Sequence, residues 1–269
     1  MIKVEHVVLA SPEQMEFIIE GMRNPMNSWE KSDSYENYEV EYDEETEAEI
    51  HHPYYRVGAG DIALMKQLAN AGTDHRKFMR MIPVYVRITA PLYWWKEFDT
   101  YKVGTVTNSC STMHKIAEKE FTLEDFSTDH LLGGPLRNLE YDIRVLNDCR
   151  DLYLQWDDLS DEERERINSK IHDKKDLWWQ MIQLLPSSYN QTRNVMMNYE
   201  VLANIYKSRK NHKLDEWRKF CKWIECCLPY SELICGYCFK DYEDGSSSVA
   251  AIGEHSRGTG LWMSGDEEE

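Results

Sequence analysis

A succession of helix-starting and helix-stopping signals fills residues 138–227, and it restricts the fold more than any other feature of the sequence. Apolar residues recur at helical spacing through 138–157, and Ser160–Glu163 is a capping box that begins a short charged helix. Three more helices are predicted over 173–185, 198–209 and 213–227. Pro186 stops the first of these three, and Pro229 stops the last. The second half of the chain is therefore predicted to be almost wholly helical.

The first half of the sequence adds strands to these helices. Residues 2–9 are rich in β-branched side chains, and residues 79–89 alternate between two faces, so both segments are predicted to be strands. Further helices are predicted over 12–22, 61–72 and 92–102. Few strands and many helices predict an α+β fold, a mostly helical domain packed on a small antiparallel sheet.

Acidic residues are concentrated in two places. Residues 30–49 contain ten acids and one lysine, and the sequence closes on the four acids Asp266–Glu269. Such blocks are typical of solvated segments, so we predict an acidic loop at 30–49, inserted in a single domain over 1–234, and a flexible acidic tail over 235–269. The alternative interpretation of the loop is a docking strip for a basic partner or a mimic of nucleic acid. The net charge of −17 argues against direct nucleic-acid binding.

The cysteines indicate a reducing compartment. The seven cysteines are an odd number, the first residues lack the apolar core of a signal peptide, and no run of apolar residues is long enough to span a membrane. We therefore expect a cytoplasmic protein with free thiols. Cys235 and Cys238 form a single C-x-x-C pair without a second close pair, so the sequence predicts no metal site.

A polar run at residues 105–112 is the first candidate for ligand binding. Its eight residues include six hydroxyl or amide side chains and one thiol, directly after an aromatic segment. Side chains of this kind after a glycine bind phosphate oxygens in some proteins and cap the next helix in others. The residues alone leave both interpretations open for Thr105, Asn108 and Cys110.

A second candidate lies near residue 209. Asn204 and Arg209 are five residues apart on a predicted helix, and His212 follows. Nearby cations, Lys207, Lys210 and Lys213, suit the negative end of the helix dipole, and Arg209 is also suited to binding a phosphate group. Both interpretations stand.

Together the two regions resemble the flavin-dependent thymidylate synthases. That family has an A-P-aliphatic-aromatic segment followed by R-H-R-x-x-S-x-N-E-x-S-x-R-Y, and here Ala90–Tyr93 precedes Thr100–Met113. The family's later Leu-Pro and its helix ending in L-x-N-x-x-x-x-R before a histidine resemble Leu185-Pro186 and Leu202–His212. The resemblance covers about residues 61–234.

The signature itself is changed in this chain. The family's R-H-R falls on Thr100, Tyr101 and Lys102, so only one cation remains. Its glutamate falls on Asn108, its second serine on Cys110 and its last arginine on Thr112.

The resemblance implies a flavoprotein acting on a pyrimidine nucleotide. It implies that FAD, reduced by NADPH, completes a methyl group transferred from methylene-tetrahydrofolate to dUMP, in a homotetramer. It assigns Lys102, Asn108 and Asn204 to the cofactor, and Thr105, Cys110, Arg209 and His212 to the substrate. No side-chain nucleophile is implied.

The altered signature supports an alternative. The same fold, with its cofactor site lost, would serve as a nucleotide-binding or protein-interaction module, carried by a phage or another mobile element. The acidic segment at 30–49 favours that alternative.

Overall fold

A computed structural model describes residues 1–43, 48–168 and 170–236. The fold is α+β with small antiparallel sheets, as predicted. The chain divides into two compact units. Unit 1 contains Met1, Thr89–Phe98 and Ser109–Arg193, and unit 2 contains Ile2–Ile88, Asp99–Asn108 and the chain from Asn194 onward. The single domain over 1–234 stays a prediction, and most of the predicted tail, from Tyr237 on, lies outside the described residues.

Six strands and ten helices make up the part of the chain that is described. The strands are β1 (Lys3–Leu9), β2 (Tyr35–Asp43), β3 (Ala48–Arg56), β4 (Pro83–Pro91), β5 (Val106–Ser109) and β6 (Asn190–Asn198). The helices are α1 (Pro12–Arg23), α2 (Ala59–Asn70), α3 (Leu92–Phe98), α4 (Thr112–Lys115), α5 (Gly133–Gln155), α6 (Asp161–Ile167), α7 (Lys174–Leu184), α8 (Tyr199–Arg209), α9 (Asp215–Cys227) and α10 (Glu232–Cys235). None of the described helices is long and apolar enough to cross a membrane.

Three predicted helix starts, those of α6, α7 and α8, are confirmed because their capping residues make the expected hydrogen bonds. Ser160 and Glu163 form a reciprocal capping box before α6. Asp173 and Asp176 do the same before α7, and the Asn198 side chain accepts from the Val201 backbone N–H at the start of α8. These contacts are local, which is why the sequence predicts them well.

The prediction of an almost wholly helical second half is wrong at β6. The four-stranded sheet has the order β1-β4-β6-β5, so β6 is an interior strand. Asn190–Asn198 is polar and lacks an alternating pattern, and the strands on both sides hold it extended. The predicted alternation of β4 is confirmed, because Val84, Val86 and Ile88 are buried whereas Tyr85 is exposed.

Unit 1 has a core of its own. Phe121 and Phe126 pack with apolar side chains of α5 and α7, and all of these side chains are buried. The bulky residues of α3, namely Trp94, Trp95 and Phe98, are also buried in this unit. Ring centroids of Trp94 and Phe98 lie 5.1 Å apart. The burial of these large apolar side chains stabilises unit 1 and thereby holds its polar residues in place.

The acidic loop predicted at 30–49 is instead largely a hairpin. β2 and β3 pair antiparallel from Tyr35 opposite Arg56 to Asp43 opposite Ala48, and residues 44–47 lie outside the described chain. On β2, Tyr38, Val40 and Tyr42 share one face and are 53–60% exposed, while the glutamates between them take the other face. The alternation of apolar and acidic residues favours a strand, and this preference outweighs the high charge density, which favours a loop. We call residues 35–56 the acidic hairpin.

A buried ion pair anchors the base of the acidic hairpin. Arg23 Nε donates to Asp61 Oδ1 at 2.6 Å, and the two side chains are 7% and 0% exposed. The hydroxyls of Ser32 and Ser34 both donate to Asp61 Oδ2 at 2.6 Å. The Asp61 carboxylate thus satisfies three donors, which fixes the chain that leads into β2 to the start of α2.

Candidate functional site

Arg209 ends α8 against two aromatic rings of unit 2. Its Nε donates to the Tyr101 hydroxyl at 3.0 Å, and its guanidinium carbon lies 4.9 Å from the Trp217 ring centroid. Such contacts fix the guanidinium plane in one orientation. Tyr101 stands where the resemblance places the family's histidine. Arg209 is therefore pre-positioned by a residue of the altered signature.

His212 lies beside this cluster, in the turn after α8. Its backbone N–H donates to the Arg209 carbonyl at 2.9 Å, and its Nδ1 accepts from the Leu214 backbone N–H at 3.2 Å. Its ring lies edge-on to Trp217 with centroids 6.4 Å apart. His212 therefore shapes the turn, and its assignment to the substrate stays a prediction.

Asn204, five residues before Arg209 on α8, contacts a charged residue of unit 2, Arg76. Its Oδ1 accepts from Arg76 at 3.4 Å, which leaves the Nδ2 hydrogens of Asn204 as its donors toward a ligand. Arg76 and Arg80, on a 3₁₀ helix spanning Arg76–Arg80, both donate to Glu200. The hydrogen bond from Arg80 holds the pKa of Glu200 below its ordinary value, and Arg76 adds to that effect.

The turn before β5 contains Lys102 and Thr105. Lys102 is exposed, and Gly104 has φ +76° with its Cα pressed so closely against Asn198 that an added Cβ would lie 2.9 Å from Asn198 Nδ2. Only glycine suits this position. The Thr105 hydroxyl is buried and has no hydrogen-bond partner among the described residues. An orphan hydroxyl of this kind is expected to bind a ligand or an ordered water.

Asn108 lines a groove on the sheet of unit 2. The groove has a volume of about 480 Å³, and its lining combines apolar side chains with polar ones that include His6, Arg87, Asn108 and Asn194. Arg87 Nε donates to Asn194 Oδ1 at 3.4 Å. Apolar walls with a few polar groups are typical of sites for flat organic ligands.

Cys110 belongs to a polar cluster in unit 1. Gln191 Nε2 donates to Thr112 Oγ1 at 2.9 Å and to the Cys110 carbonyl at 3.3 Å. Gln191 Oε1 accepts from Arg193 Nε at 2.9 Å, and the Arg193 guanidinium carbon lies 4.2 Å from the Trp95 ring centroid. The Cys110 thiol is free and exposed. This cluster therefore presents a stacked guanidinium beside the position where the family's last arginine would stand.

Two solved structures are similar to the chain over most of its length. The crystal structure of thymidylate synthase X from Helicobacter pylori with FAD and dUMP has a TM-score of 0.54 and 14% identity, over 86% of this chain and 96% of that one. A second structure, flavin-dependent thymidylate synthase from the same organism complexed with FAD and dUMP, has a TM-score of 0.53 and 16% identity, over 87% and 96%.

The chain has the thymidylate synthase X fold. No protein-family model matches it, and no curated protein matches it. The fold suggested by the sequence resemblance is thus confirmed, whereas the individual site residues stay predictions.

The residues present fit a flavin nucleotide in their chemistry. Unit 2 offers an amide at Asn204, an orphan hydroxyl at Thr105 and the guanidinium groups of Arg76 and Arg80. Amides and hydroxyls suit the polar edge of a flavin ring, and guanidiniums suit its phosphates. No group of three or more metal-ligating side chains occurs in the described ranges.

Unit 2 contains Lys102, Thr105, Asn108, Asn204, Arg209 and His212, while Cys110 belongs to unit 1. Three arginines of these clusters, namely Arg76, Arg80 and Arg193, are not among the site residues predicted from the sequence. The first two lie four residues apart in a basic segment, which was a readable signal. Arg193 had none, because its partner Trp95 is about a hundred residues away in the sequence.

Proposed function

We propose that the protein is a divergent flavin-dependent thymidylate synthase, which converts dUMP to dTMP by reductive methylation or carries out related pyrimidine nucleotide chemistry. The observation that carries the proposal is the fold, which the chain shares over 86% of its length with a protein whose structure contains FAD and dUMP. Asn204 and Arg209, five residues apart on α8, support it.

FAD would supply the redox chemistry of the reaction. The chain's own residues would bind the cofactor and the nucleotide and orient them. In the proposal Asn204, Lys102 and Asn108 hold the cofactor, and Arg209 and His212 hold the nucleotide, Arg209 by pairing with its phosphate.

The proposal also assigns Thr105 and Cys110 to the substrate. The buried Thr105 hydroxyl lacks a partner in the described chain, so a bound nucleotide would satisfy it. In unit 1, Arg193 is separately proposed as a phosphate ligand, because stacking on Trp95 orients its guanidinium and a fixed fork binds phosphate at a lower entropic cost. No side chain is assigned as a nucleophile.

The proposal extends to co-substrates and assembly. NADPH would reduce the flavin, methylene-tetrahydrofolate would donate the one-carbon group, and the protein would act as a cytoplasmic homotetramer. Direct binding to nucleic acid is not part of the proposal, since the chain carries a net charge of −17.

The visible spectrum of the purified protein tests the proposal first. Flavin bands at roughly 370 and 450 nm, with FAD released on denaturation, are expected, followed by dTMP formation from dUMP with methylene-tetrahydrofolate and NADPH. A colourless protein that takes up no added FAD contradicts the proposal. Growth rescue of a thymidine-requiring bacterium provides an independent check of the reaction.

A second function, protein interaction, is favoured by the acidic hairpin. Tyr38, Val40 and Tyr42 leave an apolar face exposed on a strand that is otherwise acidic, and tyrosines are enriched at protein interfaces. Replacing these three residues with serine is expected to abolish capture of a basic partner by the full chain. Phe17→Ser, which removes an exposed apolar side chain from α1, is the matched control. A partner captured equally by both variants would exclude the hairpin face as its binding site.

A further inference from the structure

Two arginines of the 3₁₀ helix Arg76–Arg80 converge on one carboxylate. Arg76 Nε lies 3.2 Å from Glu200 Oε1, and Arg80 Nη2 lies 3.2 Å from the same oxygen. Arg80 Nε bonds to the other oxygen of Glu200. The Glu200 side chain is 14% exposed and that of Arg80 is 50% exposed. One face of this cluster is therefore packed, while a guanidinium remains open to solvent.

The charges of this cluster do not cancel. Residues 74–80 contain three cations and one acid, and Glu200 adds a second acid, so an excess positive charge remains in a chain of net charge −17. A purely structural ion pair would need one arginine. Glu200 and Asn204 accept from Nε and Nη2 of the two arginines, which leaves the Nη1 groups, held at fixed spacing, as charged donors for phosphate oxygens.

The cluster also offers a neutral donor. Arg76 Nη2 donates to Asn204 Oδ1 at 3.4 Å, so the Asn204 amide lies directly beside the Arg76 guanidinium. An amide next to paired arginines suits a ligand that has both phosphates and a polar ring, which is the chemistry of a nucleotide cofactor.

We propose that Arg76 and Arg80 bind the diphosphate of a nucleotide cofactor and that Glu200 is a positioning residue that orients them. The identity of that cofactor as FAD rests on the function proposed above. Residues 100–102 include one cation, Lys102, and the Tyr101 hydroxyl accepts from Arg209 instead.

Binding of FAD and of ADP to the full-length protein tests the proposal. FAD is followed by its fluorescence, and ADP, which carries a diphosphate without a flavin, is followed by calorimetry. Arg76→Ala and Arg80→Ala are each expected to weaken both ligands about tenfold or more, because each removes charge-assisted hydrogen bonds. Lys77→Ala, which removes one exposed charge from the same helix, is expected to change both by less than about threefold.

Glu200→Gln provides a variant whose effect has the opposite sign. Glutamine keeps an acceptor for the arginines but removes the charge that opposes a phosphate, so binding is expected to tighten about threefold and to become more salt-dependent. Arg76→Lys and Arg80→Lys serve if an alanine variant does not fold, and circular dichroism checks every variant. We expect the lysine variants to bind more weakly than wild type, since lysine lacks the fork.

The outcomes separate this proposal from the proposed function. If Arg76→Ala and Arg80→Ala both bind FAD with wild-type affinity, the diphosphate site is overturned and the flavin function is left intact. Arginine-dependent ADP binding without FAD binding supports the site and contradicts the flavin function. A protein that binds neither ligand overturns both. Equal weakening by Lys77→Ala, or weakening by Glu200→Gln, also overturns the diphosphate site.

Discussion

Arg209 donates from Nε to the hydroxyl of Tyr101 at 3.0 Å, so the residue assigned to the nucleotide is already engaged by the altered signature. This hydrogen bond occupies one of the five donors of the guanidinium. The hydrogen bond fixes the orientation of the guanidinium, but its Nε donor is then not available to a phosphate.

Tyr101→Phe is expected to strengthen dUMP binding about threefold, because Nε becomes available to a phosphate while Trp217 still holds the guanidinium. Isothermal titration with dUMP measures the change. Arg209→Ala should abolish binding, and Lys207→Ala, an exposed cation on the same helix, should leave it nearly unchanged. Weaker binding by Tyr101→Phe would show instead that the hydrogen bond to Tyr101 is needed to orient the Arg209 guanidinium toward the nucleotide.

Arg193 is expected to contribute to nucleotide affinity through its fork. Arg193→Lys keeps the charge but loses both the stacking on Trp95 and the Nε contact to Gln191, so the Kd for dUMP should rise about tenfold. Arg166→Lys, on α6 of the same unit, is the matched control. A Kd that Arg193→Lys leaves unchanged would remove Arg193 from the proposed substrate contacts.

Removal of one partner of the buried ion pair between Arg23 and Asp61 is expected to destabilise unit 2 strongly. Asp61→Asn leaves the buried guanidinium uncompensated and should lower the free energy of unfolding by about 3–5 kcal/mol. Urea denaturation measures this loss. Glu118→Gln removes an exposed partner of Lys115 and should cost less than about 1 kcal/mol. Similar losses in the two variants would mean that burial of the first pair adds nothing.

Glu200 should give the protein a specific sensitivity to acid. Its pKa is lowered in the folded state, chiefly by the hydrogen bond from Arg80, so its stabilising contribution is complete above the unfolded value near 4.5. That contribution disappears as the pH falls through the lower folded pKa. Melting temperatures of wild type should therefore fall more steeply below about pH 4.5 than those of Glu200→Gln. The exposed Glu165→Gln should follow wild type, and identical slopes for all three would contradict the assignment.

Local hydrogen bonds explain which parts of the fold could be predicted. Ser160, Asp173 and Asn198 cap their helices through contacts three residues away, and a short window of sequence contains such contacts completely. β6 could not be predicted in this way, because its polar residues are held extended by strands that are distant in the sequence.

The acidic hairpin was predictable in principle. Tyr38, Val40 and Tyr42 alternate with acids, which is the period of a strand, but the density of charge favoured a loop. The residues of the candidate site also divide into those that local sequence predicts and those that it does not. Asn204 and Arg209 follow from helical spacing, whereas the stacking of Arg193 on Trp95 joins residues that only the folded chain brings together.

The division of the chain has a consequence for its biosynthesis. Each unit is assembled from separate stretches, and β6, which lies beside β4 in the sheet, follows β4 by about a hundred residues. A ribosome therefore releases β1 and β4 long before their sheet can be completed. Until β6 emerges, the edge of β4 lacks its native neighbour, and a chaperone that shields this edge would raise the yield of folded protein.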